Sequence, residues 1–173
     1  EIFASEGTEF VARRVTTRLE TIAYLNRGVE MIFRDERKGK ADEKSFKFDG
    51  GIVDMVRNKN ASNGPLFERI GYYAASEADQ TMEVALQWNR GYNESIEGYA
   101  NGISTTEGGM HVEGFKTALT AAVNKFARET KELREKYENL LGEDIREGLF
   151  AVVSVKLREP QFEGQTKGKL GNV

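Results

Sequence analysis

Ala151 to Leu157 reads as the chain's most clearly buried strand, and it requires a sheet and a core around it. The run breaks at Pro160 and gives way to Gln161-Phe162-Glu163-Gly164-Gln165-Thr166-Lys167-Gly168-Lys169-Leu170-Gly171-Asn172. Gly164, Gly168 and Gly171 leave that backbone free to bend. Gln165 and Lys167 are the long polar side chains between the first two glycines. An amide and an ammonium on a flexible tip just past a rigid strand suit an anion contact. The same residues suit a solubilising loop before a chain end, and composition does not choose between the two.

The remaining elements fall around that strand. Val15, Leu19, Ile22 and Ala23 repeat at helical spacing within a helix over 11–26, closed by Asn26-Arg27-Gly28. Glu1 to Glu9 before it reads as extended, with a turn at Glu6-Gly7. Val29 to Phe33 alternates as a strand, and the charged run Arg34 to Lys44 reads as a linker or exposed hairpin. Short elements follow: a strand at Phe46 to Phe48, a helix at Ile52 to Val56, and a turn-rich stretch to Pro65. Strands are expected over 66–74, over 82–88 and over 95–103, joined as an antiparallel meander. A long helix over 110–129 shows a buried stripe at Val112, Phe115, Leu119, Ala122, Val123 and Phe126. A short helix near 142–148 precedes the buried strand. The order β-α-β-β-β-α-α-β after the first forty residues predicts an α+β fold, a sheet with helices on one face.

Composition narrows the function classes. At 173 residues with a formal charge of -3, the chain has no bulk attraction to nucleic acid, so a basic contact would be local. No cysteines and a single histidine argue against a disulfide framework or a metal site of the thiolate or histidine type. No apolar run reaches membrane-spanning length and no signal-peptide pattern opens the chain, so the expectation is a cytoplasmic protein without a membrane partner. His111, beside two glycines at a helix start, reads as a local hydrogen-bonding residue. Gly108-Gly109 reads as a tight entry turn, because no Lys-Ser/Thr follows to make a phosphate loop. Charges from Lys116 to Lys136 interleave as on a solvated helix face, with Lys116 standing apart from any neighbouring acid.

Several motifs in one register carry a family resemblance. They are Tyr24-Leu25-Asn26-Arg27-Gly28-Val29, Phe48-Asp49-Gly50-Gly51-Ile52, Glu83-Val84-Ala85-Leu86-Gln87-Trp88-Asn89 and Glu107-Gly108-Gly109-Met110-His111-Val112-Glu113-Gly114-Phe115. Asp144-Ile145-Arg146-Glu147-Gly148-Leu149, Ala151 to Lys156 and Pro160 to Asn172 continue the series. Together they resemble the ATPase region of bacterial type IIA DNA topoisomerases, gyrase B or its topoisomerase IV counterpart.

The resemblance implies that residues 1–40 are the closing segment of a GHKL ATP-binding domain. Residues 41–173 would be a transducer domain with the ribosomal protein S5 domain 2-like fold, a mixed sheet with a left-handed crossover. It implies that Gln165 and Lys167 contact the γ-phosphate of ATP, Lys167 being catalytic. Lys116 would face a DNA cavity, standing where the family has arginine; Met110 stands where the family commonly has threonine. ATP and Mg²⁺ are the implied cofactors, with the Mg²⁺ ligands and the rest of the nucleotide pocket outside this chain. The implied partners are DNA, a gyrase A-type or topoisomerase IV A-type subunit, and a second copy of the ATPase region. On that basis the fragment alone would be inactive. The alternative is an S5-like nucleic-acid-binding module without ATP linkage.

Overall fold

The computed structural model describes residues 10–37, 39 and 42–172, so the expected extended piece and turn over 1–9 lie outside the described residues. The chain divides into two units, Glu1–Asp54 and Met55–Val173.

In the first unit, helix α1 (Ala12–Leu25) is followed by strands β1 (Glu30–Asp35) and β2 (Asp42–Lys47), which pair antiparallel. The charged run read as a linker or hairpin is a hairpin, and β2 begins inside it. Arg34 and Glu43 face each other across the pair, with Nη2 to Oε2 at 2.6 Å. The helix closes where Tyr24 stacks on Phe48, ring centroids 3.6 Å apart. Gly28 then turns with φ +79°, a backbone that side chains disfavour.

Helix α2 (Ile52–Asn60) carries the chain into the second unit. There, strands β3 (Gly71–Glu77), β4 (Gln80–Trp88), β5 (Ser95–Ala100), β6 (Ile103–Ser104) and β7 (Leu149–Lys156) form one sheet in the order β3-β4-β7-β5-β6. The expected meander is overturned, because β7 inserts between β4 and β5, antiparallel to the first and parallel to the second. Successive strand residues point to opposite faces. Val152 and Val153 are both fully buried, so β7 needs cover on both faces and takes the centre. Burying each valine contributes about 1.5–3 kcal/mol, more than an edge position would return.

Two further expectations change. The strand read over 66–74 starts only at Gly71. Before it, the Phe67 carbonyl accepts from buried Gln87 Nε2 at 2.7 Å, a side-chain bond in place of a ladder. The single strand read over 95–103 is a hairpin, turning at Asn101 (φ +49°) and Gly102 (φ +76°). Asn-Gly with positive φ at both positions is the favoured two-residue hairpin turn.

Helix α3 (Met110–Glu129) and the short α4 (Gly142–Arg146) connect β6 to β7, and α3 packs against β5 and β7. Its buried face departs from the expected stripe: Phe126 is 66% exposed, whereas Asn124 is buried. The reason lies in the segment 131–141. Asn124 Oδ1 accepts from the Leu140 backbone N–H at 2.8 Å, and Nδ2 donates to the Leu140 carbonyl at 3.0 Å. Arg128 donates to the carbonyls of Arg134 and Tyr137 at 2.8 and 2.6 Å. Asn124→Ala leaves both Leu140 groups without their partner and is expected to cost about 1–3 kcal/mol. A urea midpoint that does not move would show that this amide does not hold the segment.

Candidate functional site

The terminal loop has a fixed base and a free tip. Strands β8 (Phe162–Glu163) and β9 (Lys169–Leu170) pair antiparallel beneath it. Leu170 is 1% exposed and packs in a cluster with Ala100 and Val155, flanked by Met82, Leu157 and Phe162. Asn172 Oδ1 accepts from the Gln161 N–H at 2.6 Å, and Gly171 N–H donates to the Gln161 carbonyl at 2.8 Å. The start of α3 supplies the second anchor. Glu107 N–H donates to the Gly168 carbonyl at 2.8 Å, and Leu170 N–H donates to the Gly108 carbonyl at 3.2 Å. Gly109 bridges Leu170 in parallel; with φ +137°, it holds a backbone where an added Cβ would meet the Leu170 nitrogen at 2.6 Å. The glycine pair read as a tight entry turn is thus also the loop's clamp, a role that no local pattern reveals.

Gln165 and Lys167 stand on the exposed tip. Lys167 has φ +56°, in the left-handed region that non-glycine residues enter rarely. Its ammonium lies 5.8 Å from the centre of the Phe162 ring and makes no ion pair with another described residue. Neighbouring Lys169, by contrast, pairs with Glu163 at 3.1 Å. One lysine is neutralised at the base, and the other is exposed with no ion pair to a described residue.

His111 sits behind the clamp. Its Nε2 lies 3.2 Å from Thr105 Oγ1, as expected of a local hydrogen-bonding residue. Its Nδ1 is buried with no partner among the described residues. Burial holds the imidazole below its ordinary value of 6.5, so the unfolded chain takes up this proton first. The folded state therefore loses stability as pH falls below about 6.5. His111→Gln should flatten that part of a thermal-unfolding pH profile.

Lys116 is in a different place, on an open groove of about 800 Å³ along α3. The expectation that it lacks a neighbouring acid is overturned, because acids come from a distant segment as well as from its own helix. Lys116 Nζ lies 2.8 Å from Glu94 and 3.9 Å from Glu113. Glu94 also accepts from Arg146 Nε at 2.7 Å. Burial by itself would raise the Glu94 carboxyl, but hydrogen bonds and charge from Lys116 and Arg146 outweigh it and hold it below 4.5. That contribution to stability is present above about pH 4.5 and is lost as pH falls through the lowered value. The structure thus separates the sequence-identified residues into a loop pair, Gln165 with Lys167, and a groove residue, Lys116. Among the described residues no three carboxylates or histidines gather to hold a metal, and no helix is long and apolar enough to cross a membrane.

A family model described as DNA gyrase B matches residues 51–173. The chain belongs to the DNA gyrase B family. It is 45% identical over 172 residues to the DNA gyrase B protein of Enterococcus faecalis, covering 99% of this chain and 27% of that protein. Against the gyrase B protein of Clostridium acetobutylicum it is 48% identical over 173 residues, covering 99% and 26%. The chain therefore spans about a quarter of the length of these gyrase B relatives. Among solved structures it superposes on the 43K ATPase domain of Thermus thermophilus gyrase B, in complex with an aminocoumarin, with TM-score 0.85 and 35% identity. That match covers 96% of this chain and 44% of the other. The α+β architecture is that of gyrase B ATPase regions.

Proposed function

We propose that this chain is the transducer part of an ATP-driven type IIA DNA topoisomerase, preceded by the closing segment of its ATP-binding domain. The loop of Gln165 and Lys167 meets the γ-phosphate of ATP held by residues outside this chain, which also carry Mg²⁺. The observation that carries this reading is the pairing of a clamped base with a left-handed, exposed Lys167 that has no acidic partner among the described residues. A solubilising loop needs no such clamp, whereas a phosphate contact gains from a base that keeps the tip's charge within reach of the ligand.

In this reading the chain binds and orients, and the reaction is hydrolysis of the terminal phosphoryl group. Charge accumulates on that group's outer oxygens as it leaves, and an ammonium placed against them stabilises it there more than in the ground state. When phosphate departs, the tie at Lys167 is released, and the transducer is free to move toward the DNA-handling parts of the enzyme. Its partners are DNA, an A-type subunit and a second copy of the ATPase region.

Affinity labelling of the full-length protein tests this assignment. An ATP analogue with an amine-reactive group on its γ-phosphate should modify Lys167, and excess ATP should protect it. Labelling spread over other lysines with Lys167 untouched would overturn the reading.

A further inference from the structure

The segment that leaves β7 for the terminal loop, residues 157–161, lies in no strand, yet its main chain is bonded as though it had a neighbour. Two asparagine amides supply the bonds. Asn101 Nδ2 donates to the Leu157 carbonyl at 2.8 Å, and Asn101 Oδ1 accepts from the Leu157 N–H at 2.7 Å. Asn172 Nδ2 donates to the Glu159 carbonyl at 3.1 Å, and its Oδ1 accepts from the Gln161 N–H. Asn172 belongs to the loop itself, whereas Asn101 comes from the turn between β5 and β6, 56 positions before Leu157. The parallel pairing of β5 with β7 ends at Ala100 and Val155, and the Asn101 N–H donates to the Val155 carbonyl at 2.9 Å. With φ +49° the backbone then turns away into the hairpin, and the side-chain amide meets Leu157 in place of the next peptide unit.

The Leu157 side chain packs on the cluster of Ala100, Val155 and Leu170, and Leu170 is the residue held by the Gly108-Gly109 clamp. One short stretch, 101–109, thus grips the loop at both ends: Asn101 at its entry, and Glu107, Gly108 and Gly109 at its return. We infer that Asn101 is a positioning residue for the γ-phosphate contact, its amide setting where the loop leaves the sheet and so keeping Lys167 within reach of the nucleotide. This rests on the reading of Lys167 as the phosphate contact and deepens it. Two bonds from one planar amide fix distance and direction together, where a single bond would let the exit swing. Both bonds are exposed and exchange with water, so they add little to stability, and their value lies in the geometry they impose.

A double-mutant cycle on ATP turnover by the full-length protein tests this role. Asn101→Gly keeps the positive φ of the turn and removes the amide. It should lower kcat about ten-fold, part of the about 10²-fold that a displacement of about 1 Å can cost, with ADP affinity unchanged. In a Lys167→Ala background the same change should cost nothing further, because the residue through which it acts is gone. Asn101→Asp also keeps the turn and the bond from the Leu157 N–H, but it sets a carboxylate oxygen against the Leu157 carbonyl and should show the same coupled loss. Equal fold-losses with and without Lys167 would mark a general structural role and overturn the inference. Parent turnover in both Asn101 variants, with Lys167→Ala impaired, would overturn it as well. If Lys167→Ala itself leaves turnover unchanged, the phosphate reading falls and the positioning role with it.

Discussion

Lys167→Ala in the full-length protein is expected to lower ATP turnover by about 10²–10³, or about 3–4 kcal/mol of transition-state stabilisation, the scale for removing one preorganised electrostatic donor. The change should fall on kcat, because the interaction strengthens as the terminal phosphoryl group departs. Folding should be untouched, since the side chain is exposed and makes no ion pair with a described residue. Its ring contact, to Phe162 at 5.8 Å, is at the outer limit for a cation over an aromatic face. Gln165→Ala removes an uncharged donor from the same tip and should cost less.

Gly109→Ala is expected to do nearly as much damage from a position that reaches no nucleotide. Two costs coincide there. The φ of +137° lies where side chains are strained, and the new methyl would strike the Leu170 backbone. Backbone cannot rotate aside as a flexible side chain would, so Leu170 must move, carrying Gly168 and the tip with it. A displacement of about 1 Å at a reacting centre can cost about 10²-fold in rate. Gly108→Ala is the control: it shares a positive φ, here +77°, but no atom lies within 4 Å of its would-be Cβ. It should lose some stability and keep most of its turnover. Equal losses in the two variants would point to strain alone, not to the contact with Leu170.

The elements that can be read from the sequence are those whose signal is local. The periodicity of Val112, Phe115 and Leu119 places α3, and the apolar run at Ala151 to Leu157 places β7, because patterning reports which residues need cover. It does not report a strand's neighbour, so the insertion of β7 between β4 and β5 is invisible to it: the register joins Val84 to Val153 across 69 positions of chain. The Asn101-Gly102 turn, by contrast, carries a local signal that the single-strand reading over 95–103 misses. The site divides in the same way. Gln165 and Lys167 stand out by position, and the family resemblance supplies their role. Glu94 and Arg146 carry no local mark, because their meaning arises only where a loop, α3 and α4 meet around one carboxylate.

The central claim is that Lys167 recognises the terminal phosphate. Its most direct test compares the affinity of full-length protein for a non-hydrolysable ATP analogue with its affinity for ADP, before and after Lys167→Ala. The account predicts that the parent prefers the triphosphate and that the variant loses most of this preference with ADP affinity unchanged. A variant that keeps the full preference would contradict it.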